Sequence, residues 1–204
     1  MNRTLVPLAL LPLVLLSGCG SSAQTAAPSP GGPATTAAPP PSDTPAPPPS
    51  TTPAAGLEPP TGTGEIEVTH TVDTPPTVTG ARFAQHRGFD RVVIDLRGDV
   101  PAYSVRWVPE LVQDGSGERI DVQGGAYLQV TMNPATAHTE AGESTWAGGP
   151  VFRAGLGNVQ SVVRTGDFEA VVGVGVVLDR KAAFRVLEQK NPSRLIIDVA
   201  HGKR

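Results

Sequence analysis

Between residues 20 and 63 the chain carries almost no large apolar side chain, so this stretch cannot build a core. It consists of Ser, Thr, Ala, Pro and Gly, with proline runs at Pro39-Pro40-Pro41 and Pro47-Pro48-Pro49. Too little apolar surface is available to offset the conformational entropy lost on ordering. Proline favours extended polyproline II at about 3.1 Å per residue, so a straight run of this length reaches on the order of 100 Å. Thr and Ser beside Pro also suit O-glycosylation, and a plain spacer accounts for the composition equally well. The stretch reads as a tether, and a compact fold has to come from the residues downstream of it.

The residues upstream suggest what the tether is tied to. Arg3 is followed by a short apolar run over residues 5–16, the pattern of a secretory signal. About 20 apolar residues are needed to cross a bilayer, and this run is shorter and interrupted by Pro7 and Pro12. It ends in Leu16-Ser17-Gly18-Cys19, which resembles a lipobox. The resemblance implies cleavage between Gly18 and Cys19 and a diacylglycerol thioether on the Cys19 sulfur. Two acyl chains hold a protein stably at a membrane where one does so only reversibly. Cys19 is also the only cysteine, which leaves no disulfide framework and no cysteine-based zinc site. The expectation is a signal peptide at residues 1–18 and a tether at 19–77. The protein is then anchored by lipid on the extracytoplasmic face of the cell membrane.

Composition shifts near Val78, where Val, Ile, Leu and Arg become frequent and Pro becomes rare. Residues 78–200 have the length of one domain, followed by a tail at 201–204. Acidic and basic residues nearly balance there, and no basic block suggests a nucleic-acid partner. Arg91-Val92-Val93-Ile94-Asp95-Leu96 alternates as a strand, with Val92, Ile94 and Leu96 on one face. Further strands are expected at 103–108, 126–132, 159–164, 168–178, 183–187 and 195–199, with a hairpin connection at Gly166-Asp167. Gly173 and Gly175 mark a bulge or a close backbone approach. Residues 65–76 alternate weakly and read either as an edge strand or as linker. No stretch has a helical stripe. The fold class is all-β, a sandwich or a barrel.

Asp90-Arg91-Val92-Val93-Ile94-Asp95-Leu96 is echoed by Ser193-Arg194-Leu195-Ile196-Ile197-Asp198-Val199. In each copy Arg and Asp share a strand face. Laid side by side, the two strands would pair Arg with Asp across the ladder, worth about 0.2–1 kcal/mol per pair. Arg neighbours keep Asp95 and Asp198 ionised, which suits ion pairing rather than acid catalysis.

These runs, together with Gly88-Phe89, Val100-Pro101-Ala102-Tyr103-Ser104-Val105-Arg106 and Gly166-Asp167-Phe168-Glu169, resemble AMIN domains, and more closely the AMIN-like domain of envelope lipoproteins. The likeness spans nearly all of residues 78–200. It implies a β-sandwich module of the cell envelope that binds peptidoglycan or directs a partner to the wall. No amidase or secretin domain of the kind often joined to an AMIN domain appears in the sequence, so a module without an attached enzyme is expected.

No Gly-x-Ser-x-Gly elbow, His-Glu-x-x-His pair or phosphate-cradling Gly-Lys loop is present, so neither a catalyst nor a cofactor is expected. His70 falls in linker, His86 near a turn and His201 in the tail. His138, Glu140 and Glu143 form the best polar cluster, but a Gly-containing loop does not promise metal-ligand geometry, and a solvated loop is the plainer reading. Candidate ligand contacts are Trp146 in its Gly-rich loop, Tyr127, Arg91 and Arg194. Flat aromatic faces suit sugars and Arg suits carboxylates on peptide stems. Tyr103 and Trp107 are expected to fill the core. Two functions follow: binding of peptidoglycan or another wall component, or recruitment of an envelope or secreted protein.

Overall fold

The computed structural model describes residues 58–202. Cys19, the signal segment and the tether up to residue 57 lie outside the described residues.

Ten strands follow in chain order: β1 (Ile66–Val68), β2 (Thr77–His86), β3 (Phe89–Arg97), β4 (Tyr103–Val108), β5 (Ala126–Met132), β6 (Val151–Arg153), β7 (Val159–Phe168), β8 (Val171–Leu178), β9 (Phe184–Gln189) and β10 (Arg194–Ala200). No helix occurs among the described residues. Strands β1-β4-β5-β8-β7-β6 form one antiparallel sheet and β2-β3-β10-β9 the other. Their inner faces make one core, so the expected all-β sandwich is present.

The core follows from the two-residue period of a strand, which sends alternate side chains to opposite faces. Val92 and Ile94 on β3 and Leu195, Ile197 and Val199 on β10 are fully buried. Val105, Leu128, Val130, Met132, Val162, Val174 and Val176 meet them from the larger sheet. A smaller cluster lies on the opposite face of the larger sheet, where Leu111 covers Val163 and Val177. Gly175 makes room for it, since a Cβ there would fall 2.3 Å from Leu111 Cδ1. Gly173 does the same for Asp114, whose Oδ2 would sit 2.2 Å from an added Cβ. The two glycines therefore mark close approach of the segment that precedes β5.

Several boundaries differ from the sequence expectation. The packed part starts before Val78: β1 pairs antiparallel with β4, and Gly62 O accepts from Phe184 N at 2.7 Å. Residues 58–77 therefore belong to the fold rather than to the tether, and the weak alternation at 65–76 includes an edge strand. The segment is held because Trp107 Nε1 donates to Thr63 O at 3.0 Å and stacks edge-on against Phe184 at 5.5 Å. The reversal between β7 and β8 lies at Glu169-Ala170, both at positive φ, instead of at Gly166-Asp167. Gly166 stays in β7 because it pairs with Gly173, under Asp114. His201 is no loose tail: its Nε2 lies 2.8 Å from Asp90 Oδ1. Asp90, fully buried, also accepts from the backbone N–H groups of Asn158 and Val159 at 2.6 and 2.9 Å.

The Arg/Asp echo pairs as expected. Arg91 faces Asp198 and Arg194 faces Asp95 across the β3–β10 ladder. Arg91 grips Asp198 with two parallel bonds, Nε to Oδ1 at 2.7 Å and Nη2 to Oδ2 at 2.9 Å. Arg185 from β9 donates to the same carboxylate at 2.8 Å. Asp198 is 0% exposed, so replacing it by Ala removes the shared counter-ion of two partly buried guanidiniums. Chemical denaturation should show Asp198→Ala destabilised by about 3–5 kcal/mol, the range for removing one partner of a buried pair. Arg97→Ala, on an exposed side chain of the same sheet, should change stability by less than about 0.5 kcal/mol.

Candidate functional site

Strand β6 is only three residues long and covers β7 only over residues 161–163. Beyond that point Arg164 N still donates to Pro150 O and Thr165 O accepts from Asp114 N, both at 2.8 Å, but among the described residues no strand pairs with this edge of β7. The loop from β5 to β6 folds back over the opening and leaves a groove of about 390 Å³. Ile120, Ala137 and Val172 supply apolar lining, Arg164 and Asp167 supply the charge, and His138 lies beside Asp167.

Arg164 is the strut of this loop. Its Nη1 donates to Ser144 Oγ at 2.6 Å and to Trp146 O at 3.0 Å, and its Nη2 to Gly148 O at 3.2 Å. All three acceptors are neutral, and no carboxylate forms an ion pair with Arg164 among the described residues. Asp167 lies three positions along the same strand. Its Oδ2 lies 2.6 Å from His138 Nδ1. Its Oδ1 is buried and receives no hydrogen bond. The groove therefore holds a cation without a counter-charge and a carboxylate oxygen without a donor.

A His–Asp pair beside a serine invites comparison with a hydrolase, but the serine is not poised as a nucleophile. Ser144 Oγ donates to Trp146 O at 3.0 Å and accepts from Arg164, so its hydroxyl serves the loop. Among the described residues no group of three His, Cys, Asp or Glu side chains is placed to hold a metal. Glu140 and Glu143 are exposed, while His138 turns to Asp167.

The expected contacts are distributed differently. Trp146 is only 3% exposed, because it stacks on Phe152 at 5.1 Å with ring planes 12° apart. It borders the groove without offering the exposed face expected of it. Tyr127 is tied into the preceding loop: its hydroxyl accepts from Gly124 N at 3.1 Å and donates to Val122 O at 3.2 Å. Arg91 and Arg194 lie on the outer face of the smaller sheet and do not line the groove. Arg91 is taken up by Asp198, and Arg194 lies 3.4 Å from Asp95, which Arg82 also binds at 2.7 Å. A ligand carboxylate would have to displace these partners. Of the four side chains, only Trp146 lines the groove. Tyr103, by contrast, is buried as expected, and its hydroxyl donates to Glu188, which His70 also meets. Trp107 packs at the core margin.

The model of the AMIN-like domain family matches residues 76–201. The chain belongs to the AMIN-like domain family. No curated protein and no solved structure matches it. AMIN-like domains are non-catalytic, binding-type modules of the cell envelope, and membership makes this chain an envelope-associated protein. No helix among the described residues is long and apolar enough to cross a membrane.

Arg164 and Asp167 were not among the sequence candidates. The signal for them is faint: Arg-Thr-Gly-Asp interrupts an apolar strand where Gly166 reads as a turn.

Asp114 sits beside this region, over Gly166 and Gly173. Burial pushes its carboxyl above the ordinary 3.8, partly opposed by the Thr165 hydroxyl. The folded state thus holds this proton more tightly than the unfolded chain does. Stability from Asp114 is complete below its unfolded value and is lost as pH rises through the folded one. Asp114→Asn should therefore melt above the parent at pH 7. The gain should shrink to nothing as the pH is lowered below about 3.8. A gain unchanged by pH would contradict the burial argument.

Proposed function

We propose that the chain is a lipid-anchored envelope protein whose AMIN-like sandwich binds peptidoglycan or another wall component without catalysis. The observation that carries this reading is the groove at the open edge of β7. Elsewhere Asp90, Asp95 and Asp198 are each taken up by a basic side chain of the domain. The groove combines a volume of ligand size with a guanidinium bonded only to neutral acceptors and a carboxylate oxygen without a donor. Family membership supports a binding role in the envelope.

The anchor is part of the proposal. Leu16-Ser17-Gly18-Cys19 follows a short apolar run, and lipid on Cys19 would set the base of a tether running to about residue 57. The module then samples the wall layer within tether reach of the membrane. In this arrangement anchor and binding site divide the work: one fixes position, the other captures polymer.

Recruitment of an envelope or secreted protein is the second reading, and Phe168 favours it. This side chain is 54% exposed at the β7–β8 reversal, and solvent-facing aromatic rings are frequent anchors at protein interfaces.

Two measurements separate these statements. The full chain should pellet with insoluble purified wall and stay in solution when wall is omitted. Recovery entirely in the supernatant, with one protein crosslinked through Phe168, would favour recruitment. For the anchor, Cys19→Ser should abolish incorporation of labelled fatty acid, and persistent labelling would refute the assignment.

A further inference from the structure

We propose that the groove at the β7 edge holds the free carboxylate end of a short acylated peptide. Its carboxylate meets Arg164, and a backbone amide N–H meets Asp167 Oδ1. The inference rests on the wall-binding reading and names the part of the polymer that is held, the peptide rather than the glycan.

The charges point to a ligand with a carboxylate at one end and an N–H donor at the other. A guanidinium carries five N–H donors in a planar fork that matches a carboxylate. Arg164 spends its hydrogen bonds on Ser144 Oγ, Trp146 O and Gly148 O, none of which neutralises it. Asp167 presents the converse need. His138 meets Oδ2, while Oδ1 stays buried and without a donor. A buried acceptor left unmet is unfavourable until a donor arrives. A peptide amide supplies one without bringing another charge.

Spacing and volume agree with this pairing. Arg164 and Asp167 pair with Val174 and Val172, which are two residues apart on β8, because a bulge lies between Arg164 and Gly166; at about 3.3 Å per residue their backbone positions are on the order of 7 Å apart. Two extended residues of ligand cover that distance. The 390 Å³ of the groove falls within the range of small-molecule sites.

The lining disfavours a sugar. Saccharides stack on exposed aromatic faces, and Trp146, the aromatic side chain lining the groove, turns its face to Phe152. Ile120 and Pro150 in the lining instead offer apolar contacts for small aliphatic side chains.

The test uses the detergent-solubilised full chain with its tryptophan indoles labelled with nitrogen-15. The chain has two tryptophans. Trp146 borders the groove, and Trp107 lies by the 58–65 segment and serves as an internal control. N-acetyl-dialanine with a free carboxylate should shift the Trp146 indole signal saturably and leave Trp107 in place. Its C-terminal amide should bind at least tenfold more weakly, and Asp167→Leu, which removes the acceptor at similar volume, should weaken the acid form at least tenfold. Equal binding of acid and amide would remove the role of Arg164. Unchanged binding by Asp167→Leu, with that variant's melting temperature preserved, would remove the role of Asp167. A shift with chitotriose and none with the dipeptide would overturn the peptide assignment and leave wall binding intact. If neither probe shifts Trp146 while the chain still pellets with wall, the inference falls and the wall reading stands. If the chain also stays in the supernatant, both fall.

Discussion

Asp198 is the residue on which the smaller sheet turns. It is a carboxylate with no exposed surface, placed on the outer face of β10 and claimed by Arg91 on one neighbouring strand and Arg185 on the other. A strand slipped by one residue turns its whole apolar set outward. Here it would also leave that carboxylate buried without its cations. The apolar pattern and the ion cluster therefore select the same register for three adjacent strands. Phe89 adds to this by lying under both guanidiniums, 5.6 Å from Arg91 and 5.4 Å from Arg185. The arginines cover the Phe89 ring while serving as counter-ions, so Phe89 and Asp198 are buried on the outer face of the sheet without a second layer of protein above them.

This cluster also accounts for what could be read in the sequence. β3 and β10 stood out because alternation and the Arg/Asp echo are both properties of short sequence windows. β4 and β5 fell at the expected bounds for the same reason. β2 was invisible, since its Thr-Val-Thr-Gly-Ala stretch has few large side chains and a bulge between Val78 and Gly80 breaks the phase of the alternation. β1 and β6, at three residues each, are too short to show a period. Their existence depends on pairing with a neighbouring strand, through Val105 for one and Val163 for the other.

The groove was less legible than the fold, and for a different physical reason. Gly-rich surroundings suggest an exposed loop, and that argument placed Trp146 in solvent. The loop instead closes back on the sandwich, and Trp146 finds Phe152. What makes a site here is a strand that ends early and a loop pinned by one arginine. Neither is encoded as a motif. The unmet oxygen of Asp167 depends on how far His138 reaches, which is a property of the packed molecule alone.

The segment at residues 58–65 enters the domain along the margins of both sheets. It is held by the Gly62–Phe184 and Thr63–Trp107 bonds, and three residues of β1 follow. Any tension transmitted along the chain from upstream reaches these bonds before it reaches a core strand. The segment is in effect a mechanical fuse. Under load it should peel away first and lengthen the linkage by its own contour. The sandwich and its groove, whose strands are joined by many more bonds, would stay closed while the slack is taken up.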